Sequence, residues 1–243
     1  MSDLYDAIGS RYGQFRRPDP RIAASILRCL GETSSLVNVG AGAGSYEPRD
    51  RQVMAVEPSM TMIRQRPPSS APVVRGSGSA LPFRDETFDA SLAILTIHHW
   101  PDRVKGLREL RRAARRRVVI LTWDPAAPGF WLTDYLPEIL DVDRLIFPSL
   151  ETLSRELGRT TIFDVPIPHD CRDGFLGAYW RRPAAYLDAS ARSAISTFTK
   201  LRDATEGLSR LARDLRSRDW ERRYGSILAA GSIDLGYRLV VAE

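Results

Sequence analysis

The sequence predicts an α/β fold built on a doubly wound, mostly parallel sheet. Residues 36–39 form a short apolar run with β-branched side chains, which is typical of a buried parallel strand. Three glycines at alternate positions follow, and a second β-rich run, residues 52–56, ends at the acid Glu57. Strand, glycine turn, short helix, strand and acid in this order indicate a site for a nucleoside-like ligand at the carboxyl ends of the strands.

The composition predicts one domain, residues 1–243. Hydrophobic residues make up 43% and charged residues 27% of the chain, which are ordinary globular values. No apolar run approaches the length of a membrane span, and the first thirty residues are too charged for a signal peptide. We therefore expect a cytoplasmic protein with no membrane partner. Cys29 and Cys171 are far apart in the chain and are expected to be free thiols.

The net charge of +5 comes almost wholly from arginine. The densest basic cluster consists of Arg111, Arg112, Arg115, Arg116 and Arg117. No aromatic residue lies among these arginines, so a stacking platform for bases is missing from the cluster. We interpret it as the solvent-facing side of a helix that leads into the next strand, and we expect no nucleic-acid partner.

Two helices are predicted ahead of the first strand. Residues 3–15 carry apolar side chains at helical spacing. Asp19 followed by Pro20 has the pattern of an N-cap and a helix-start proline, and the apolar stripe of this second helix runs up to Gly31.

The glycine spacing distinguishes between ligand classes. Gly40, Gly42 and Gly44 form Gly-x-Gly-x-Gly, in which the third glycine comes one residue too early for a dinucleotide fingerprint. Glu57 follows at about the distance, roughly 20 residues, expected of an acid that binds ribose hydroxyls. This combination favours a nucleoside without a pyrophosphate group.

With these residues the sequence resembles the class I S-adenosylmethionine (AdoMet)-dependent methyltransferases, in particular the ubiquinone-biosynthesis and small-molecule branch. The resemblance covers residues 12–123. It is carried by Asn38-Val39-Gly40-Ala41-Gly42-Ala43-Gly44, by Val56-Glu57-Pro58-Ser59-Met60, by Ala80-Leu81-Pro82-Phe83 with Phe88-Asp89, and by His98-His99-Trp100-Pro101-Asp102.

The resemblance implies a Rossmann-like sheet of about seven strands with the last strand antiparallel, and AdoMet as the cofactor. It further implies that Tyr12 and Arg16, or Arg17, close over the cofactor and bind its carboxylate. Met60 is expected to pack on the adenine. The implied cofactor-binding residues are Tyr12, Arg16, Asn38, Gly40, Ala41, Gly42, Gly44, Glu57, Pro58, Met60, Ser77, Gly78, Ser79 and Thr96. At the position of Asn38 the family often carries an acid.

Two adjacent histidines, His98 and His99, are the predicted acid or base residues. They follow the predicted fourth strand, residues 88–94, in a loop expected to face the transferred methyl group. Imidazole titrates near neutrality and can take a proton from a hydroxyl or amine. The alternative interpretation is that one of them caps the loop or contacts the cofactor without proton transfer.

Beyond a helix at 104–114 and a strand at 118–123, residues 124–200 are predicted to form an α-rich substrate cap. Residues 124–186 contain nine of the 21 aromatic residues, which favours a dry pocket for an apolar or aromatic substrate. A polar stretch within this cap contains His169, Asp170 and Asp173, candidates for binding substrate polar groups or, as a weaker alternative, a metal; no metal site is predicted. Residues 201–243 are expected to contain a C-terminal helix and the final strand.

The predicted function is methyl transfer from AdoMet to an oxygen, nitrogen or carbon atom of a small molecule. Two alternatives share the same motifs: a cyclase or isomerase that keeps AdoMet as a non-reacting cofactor, and a non-catalytic AdoMet-binding protein. A nicotinamide oxidoreductase is the weakest alternative. The sequence predicts neither the acceptor nor the oligomeric state.

Overall fold

A seven-stranded sheet forms the centre of the protein. The computed structural model describes residues 12–243, except for the side chains of Tyr12 and Gln14. The strands are β1 (Ser35–Val39), β2 (Gln52–Glu57), β3 (Val73–Arg75), β4 (Phe88–Ile94), β5 (Ala114–Trp123), β6 (Thr160–Asp164), β7 (Ile167–Pro168), β8 (Ser232–Ile233) and β9 (Tyr237–Ala242). The large sheet has the order β3-β2-β1-β4-β5-β9-β6, while β7 and β8 pair separately.

The strand directions confirm the predicted architecture. The pairs within β1 to β5 are all parallel, and β9 inserts antiparallel between β5 and β6. The order reverses beside β1, so the carboxyl ends of β1 and β4 border a switch point where ligands of such sheets bind.

The described helices are α1 (Tyr12–Phe15), α2 (Pro20–Leu30), α3 (Met60–Arg64), α4 (Arg103–Ala113), α5 (Trp131–Tyr135), α6 (Glu138–Ile146), α7 (Leu150–Leu157), α8 (Ala189–Ser193), α9 (Thr205–Ser217) and α10 (Asp219–Tyr224). The start of α2 is as predicted: the Asp19 side chain accepts a hydrogen bond from the Arg21 amide, and Pro20 occupies the first turn. The helix predicted within 3–15 lies mostly outside the described residues.

The helices cover both faces of the sheet. Ile22 and Ile26 of α2 pack with Leu36 and Leu92 in one buried cluster. Leu107 and Leu110 of α4 pack on the opposite face, with the side chains of β1 and β5 that alternate with those of the first cluster. Both faces of the parallel strands are therefore buried, which explains their nearly continuous apolar sequences.

The basic cluster is only partly helical. Arg112 lies in the last turn of α4 and pairs with Glu109 and Asp85, whereas Arg115 lies on β5 and pairs with Asp89. The prediction of a helix leading into a strand is correct in outline, but β5 begins earlier than predicted, at Ala114.

The predicted α-rich cap at 124–200 is only partly a cap. Strand β6 belongs to the main sheet, and Leu153 and Leu157 of α7 lie in the same buried cluster as α4 and β9. The end of this region contains α8 and a 3₁₀ turn, Phe198–Lys200, and Ile195 and Thr197 are buried between them.

Most aromatic residues of this region fill a core rather than line a pocket. Trp131 stacks edge-on against Tyr186 and Trp220, with ring centroids 5.5 and 5.2 Å apart. Tyr135 and Tyr179 also belong to this third buried cluster, which joins α5, α9 and α10 to one another. The expectation that the aromatic residues as a set enclose a substrate is therefore wrong for these members.

None of the helices between residues 12 and 243 combines the length and the apolar character needed to cross a bilayer.

Candidate active site

The glycine turn after β1 brings backbone to the surface of a cavity. Gly40, Gly42 and Gly44 all have positive φ angles, of 69°, 51° and 92°. The Gly40 amide donates to the Val56 carbonyl at 2.8 Å, which ties the turn to the end of β2. A Cβ at Gly40 would lie 2.1 Å from Thr96 Oγ1, so glycine is required by conformation and by space.

Glu57 is held against this turn by backbone amides. Its side chain accepts from the Gly42 amide at 2.8 Å and from the Ser59 amide at 2.9 Å, through different oxygens. The residue is only 5% exposed. Burial raises the pKa of Glu57, and the two amides and the nearby Arg66 oppose that rise. The carboxylate is thus fixed in position while one side of it borders the cavity.

The first cavity has a volume of about 200 Å³ and lies over the carboxyl ends of β1, β2 and β4. Eleven of the predicted site residues line it: Arg16, Asn38, Gly40, Ala41, Gly42, Glu57, Pro58, Ser77, Gly78, Thr96 and His99. The structure therefore brings together residues that are up to 83 positions apart in the sequence (Arg16 to His99).

Met60 does not lie where the resemblance places it. Its side chain is 36% exposed on α3, whereas Met62 is buried and lines the cavity. Ser59 caps α3 by accepting from the Met62 amide at 3.3 Å, and this start of the helix directs position 62 inward and position 60 outward.

Two further predicted residues lie outside the first cavity, and one lies outside the described side chains. Gly44 lines a separate outer cleft. Ser79 is positioned by local hydrogen bonds, since its amide donates to Ser77 Oγ and its hydroxyl to the Asp102 carbonyl. The side chain of Tyr12 is not among those described.

An acid lies beside Asn38 after all. The Asn38 amide nitrogen donates to Glu47 at 3.3 Å, and Glu47 in turn pairs with Arg66 at 2.7 Å. Both members of the ion pair are buried, with side-chain exposures of 6% and 4%. Glu47 was missed because it lies nine residues away in the turn, and no local pattern connects it to position 38.

Arg16 is anchored at the edge of the site. Its guanidinium Nε donates to Asp173 at 2.5 Å, and the Tyr46 hydroxyl donates to the other oxygen of the same carboxylate at 3.0 Å. Asp173 is almost fully buried and belongs to the polar stretch predicted to contact substrate. Its contacts are structural: it joins this stretch to α1 and the glycine turn.

The rest of that polar stretch is also occupied by structural contacts. Asp170 pairs with Arg21 at the surface, and His169 lies near the Gly231 carbonyl. Cys171 is buried, which raises the pKa of its thiol to about 12. Within residues 12–243, no group of three His, Cys, Asp or Glu side chains is arranged to hold a metal ion.

His98 and His99 occupy a 3₁₀ turn after β4, with their rings 3.9 Å apart. His98 is 7% exposed and stacks on Phe147 at 4.0 Å. Burial lowers the pKa of both imidazoles, and the nearby cations Lys200 and Arg16 add to the effect; the pKa of His99 falls to about 3. Both rings are therefore neutral at physiological pH and are weak proton acceptors.

A second cavity lies on the far side of these histidines. Its aromatic walls are Trp123, Phe147, Phe175 and Tyr237. Arg16, Leu95 and His99 line both cavities, so the two spaces share a wall.

Asp143 on α6 is the acid of this second cavity. It is 4% exposed and accepts from the Thr197 hydroxyl at 2.8 Å. Burial raises the pKa of Asp143 to about 6, although Thr197 and Lys200 oppose the rise. Sequence analysis missed this residue because a charged position in an amphipathic helix ordinarily faces solvent.

Comparison with known proteins gives a consistent set of relatives. A family model described as a methyltransferase domain matches residues 37–122. A crystal structure from Anabaena variabilis, provisionally named a methyltransferase of an antibiotic biosynthesis pathway, is 34% identical, with a TM-score of 0.87; the match covers 95% of this chain and 100% of that one.

Two curated relatives act on quinone-type molecules according to their names. The demethylmenaquinone methyltransferase of Corynebacterium kroppenstedtii is 30% identical over 162 residues, covering 58% of this chain and 68% of the relative. The 2-methyl-6-phytyl-1,4-hydroquinone methyltransferase 1 of rice is 26% identical over 110 residues. That match covers 45% of this chain but only 30% of the rice protein's own length.

Proposed function

Because the chain belongs to the class I AdoMet-dependent methyltransferases, we propose that it transfers a methyl group from AdoMet to a small apolar or aromatic molecule. The observation that carries this proposal is the joint geometry of the glycine turn and Glu57. Backbone amides and a fixed carboxylate border one cavity, as a nucleoside bearing an amino-acid tail requires.

The residues present fit the cofactor. AdoMet carries no phosphate, and Arg16 is the one cationic side chain among the described residues that line the first cavity. Gly40, Ala41 and Gly42 line this cavity, so a ligand can lie against the backbone of the turn. We assign Glu57 to the ribose hydroxyls, Arg16 to the carboxylate and Met62, in place of Met60, to the adenine.

The remaining predicted lining residues keep their assigned roles as proposals. Ser77 and Gly78 border the adenine edge, and Asn38 with its neighbour Glu47 faces the amino-acid end of the cofactor. Trp100 lines the same cavity beside Gly78, where a Cβ would lie only 3.0 Å from the indole ring. Backbone-to-ring packing of this kind keeps water away from the ligand.

Bound AdoMet supplies an electrophilic methyl group on a sulfonium centre. The chain's own residues then have three tasks: to orient the acceptor, to exclude water and to manage the acceptor's proton. His99 lies in the wall between the two cavities and is suited to orienting groups on both sides. As a neutral imidazole it does so by hydrogen bonding.

Two independent observations support the proposed class of acceptor. The curated relatives are named for demethylmenaquinone and a hydroquinone, both of which are ring systems with oxygen substituents. The second cavity of this chain is walled by aromatic side chains, which suits a flat ring. The cytoplasmic location and the independence from nucleic acid stay predictions from the sequence.

Isothermal titration calorimetry with S-adenosylhomocysteine tests the cofactor assignment. We expect wild-type protein to bind this product with a 1:1 stoichiometry and not to bind NAD. Incubation with methyl-labelled AdoMet and a panel of phenols and hydroquinones tests the transfer, with labelled product and S-adenosylhomocysteine appearing together. Binding without any transfer to the panel would favour the non-catalytic or cyclase alternative.

A further inference from the structure

The second cavity contains two polar groups that packing alone does not explain. The Nδ1 atom of His98 is buried and has no hydrogen-bond partner among the described residues. Asp143 buries a carboxylate in the wall of the same cavity. A buried polar atom is costly unless it is paired, so the unpaired Nδ1 of His98 indicates a ligand, and Asp143 offers that ligand a carboxylate in the same cavity.

The surroundings define the shape of that ligand. Phe147 stacks on His98 with an interplanar angle of 24°, and Trp123 meets Phe147 edge-on at 5.6 Å. Phe175 packs against Tyr237 at 4.6 Å on another wall of the same cavity. An aromatic ring with one polar substituent matches walls of this kind, whereas a chain of polar groups does not.

The position of the cavity relates this ligand to the cofactor. Residues shared by both cavities include His99 and Leu95, which follow β4 directly. A ring in the second cavity is therefore separated from the cofactor cavity only by this wall.

We infer that the second cavity receives a phenolic acceptor, with Asp143 accepting the proton of its hydroxyl group and His98 hydrogen-bonding to the same hydroxyl. This inference rests on the proposed function and specifies its acceptor site. In the proton transfer the acceptor O–H bond breaks, an O–H bond forms on Asp143, and the electron pair stays on the acceptor oxygen. The oxygen would thereby become the nucleophile for the methyl carbon, whose bond to sulfur would break with the electron pair left on S-adenosylhomocysteine, and Asp143 would later return the proton to solvent.

The charges around Asp143 suit this role. Thr197 donates to one carboxylate oxygen, and Lys200 is a half-buried cation nearby. The titratable and charged groups around Asp143 and the cavity are Lys200, Tyr237, His98, His99, Arg16 and Arg103. Three of these are cations, which stabilise the negative charge that develops on the acceptor oxygen.

The present volume of the second cavity, about 40 Å³, is small. A cavity that binds benzene is on the order of 150 Å³. The segment 194–197 forms one wall, and outward movement of this segment would make room for the ring. The acceptor is accordingly a small ring that enters with its hydroxyl group towards Asp143.

The test uses 4-methylphenol, which stays neutral across the pH range, and calorimetry in the presence of S-adenosylhomocysteine. We expect wild-type affinity to increase by up to about tenfold between pH 5 and pH 7, as Asp143 ionises and accepts from the hydroxyl. In Asp143→Asn the affinity should be about tenfold or more lower at pH 7, and independent of pH. The matched probe 4-methylanisole lacks the hydroxyl hydrogen and should bind both proteins equally, without pH dependence.

Two variants control this experiment. Asp214→Asn also changes a carboxylate that accepts from a hydroxyl, that of Tyr135, but it lines neither cavity and should leave 4-methylphenol binding unchanged. Thr197→Val removes the hydrogen bond that favours the ionised form of Asp143, so the midpoint of the pH dependence should move to higher pH. If Asp143→Asn does not fold, the shift of the pH midpoint in Thr197→Val tests the role of Asp143 instead.

The outcomes separate this inference from the proposed function. Failure of the wild type to bind S-adenosylhomocysteine would refute the cofactor assignment. Normal S-adenosylhomocysteine binding without 4-methylphenol binding would overturn only the acceptor inference. Equal affinity and equal pH dependence in wild type and Asp143→Asn, or an unmoved midpoint in Thr197→Val, would overturn it as well.

Discussion

The two cavities of this protein are built in different ways. The first is formed largely by backbone and by short side chains at the ends of neighbouring strands, with Gly40, Gly42 and Glu57 at its centre. The second is formed by side chains from well-separated parts of the chain, including Arg16, Asp143 and Tyr237. A site made of backbone depends on a few obligatory residues, whereas a site made of side chains can change its ligand by substitution. The backbone turn of the first cavity is therefore set by residues close together in the chain, whereas the second cavity is a product of long-range packing.

The most disruptive change to the first cavity should be Gly40→Ala. The new Cβ would collide with Thr96, and the φ of 69° disfavours any L side chain. We expect S-adenosylhomocysteine affinity to fall at least about 30-fold, since strain at such a position costs of order 1–3 kcal/mol and overpacking a similar amount. Calorimetry measures the affinity, and chemical denaturation measures the free energy of unfolding.

Gly225→Ala is the matched control, because Gly225 has a φ of −59° and open space around its Cα. It should leave binding unchanged. Wild-type affinity in Gly40→Ala would show that the turn is not a ligand cradle.

Glu57→Gln should have the next largest effect. Both carboxylate oxygens accept from backbone amides, so the NH₂ group of glutamine would face a donor. With a charged hydrogen bond worth about 1.5–3 kcal/mol, we expect S-adenosylhomocysteine to bind about 10- to 100-fold more weakly. Glu138→Gln, which alters a carboxylate paired with Arg202 away from both cavities, is the control. Equal losses in the two variants would point to a general effect on folding.

The pH dependence of turnover should show which group accepts the proton, Asp143 in the second cavity or His99 in the wall between the two cavities. The raised pKa of Asp143, about 6, means that its carboxylate is protonated below that pH and cannot accept a proton. With a phenolic acceptor, kcat/KM should fall about tenfold per pH unit below pH 6. The pKa of His99, about 3, is too low for this imidazole to contribute. If kcat/KM instead decreased with a midpoint near pH 7, a histidine would be the proton acceptor.

The smallest expected effect concerns the two methionines of α3. Met60→Ala changes an exposed side chain and should alter S-adenosylhomocysteine affinity less than about twofold, whereas Met62→Ala opens a gap in the cavity wall and should weaken binding several-fold. Truncation of a buried methionine also costs about 2–5 kcal/mol of stability, so affinity is measured at a temperature where both variants are folded. If Met60→Ala weakened binding more than Met62→Ala, the adenine contact would be assigned to Met60.

The features that the sequence did not predict all depend on contacts or exposure that a local sequence pattern does not record. Strand β6 is an edge strand whose Ile162 and Phe163 are exposed, so neither a buried run nor a clean alternation marks it. The aromatic residues around Trp131 were interpreted as a substrate pocket because enrichment in a sequence does not reveal which side chains meet. Met62 rather than Met60 lines the first cavity because the phase of α3 depends on where Ser59 caps it.

By itself, the sequence determined the class of fold, the position of the glycine turn and the acid that follows β2. These features depend on residues close together in the chain, on strand composition and on the conformational freedom of glycine, all of which are local properties. Only the tertiary structure decided that Met62 lines the first cavity, that Glu47 lies beside Asn38, and that Asp143 lines the same cavity as His98. Those arrangements depend on helix phase and on the packing of distant segments, which no local pattern records.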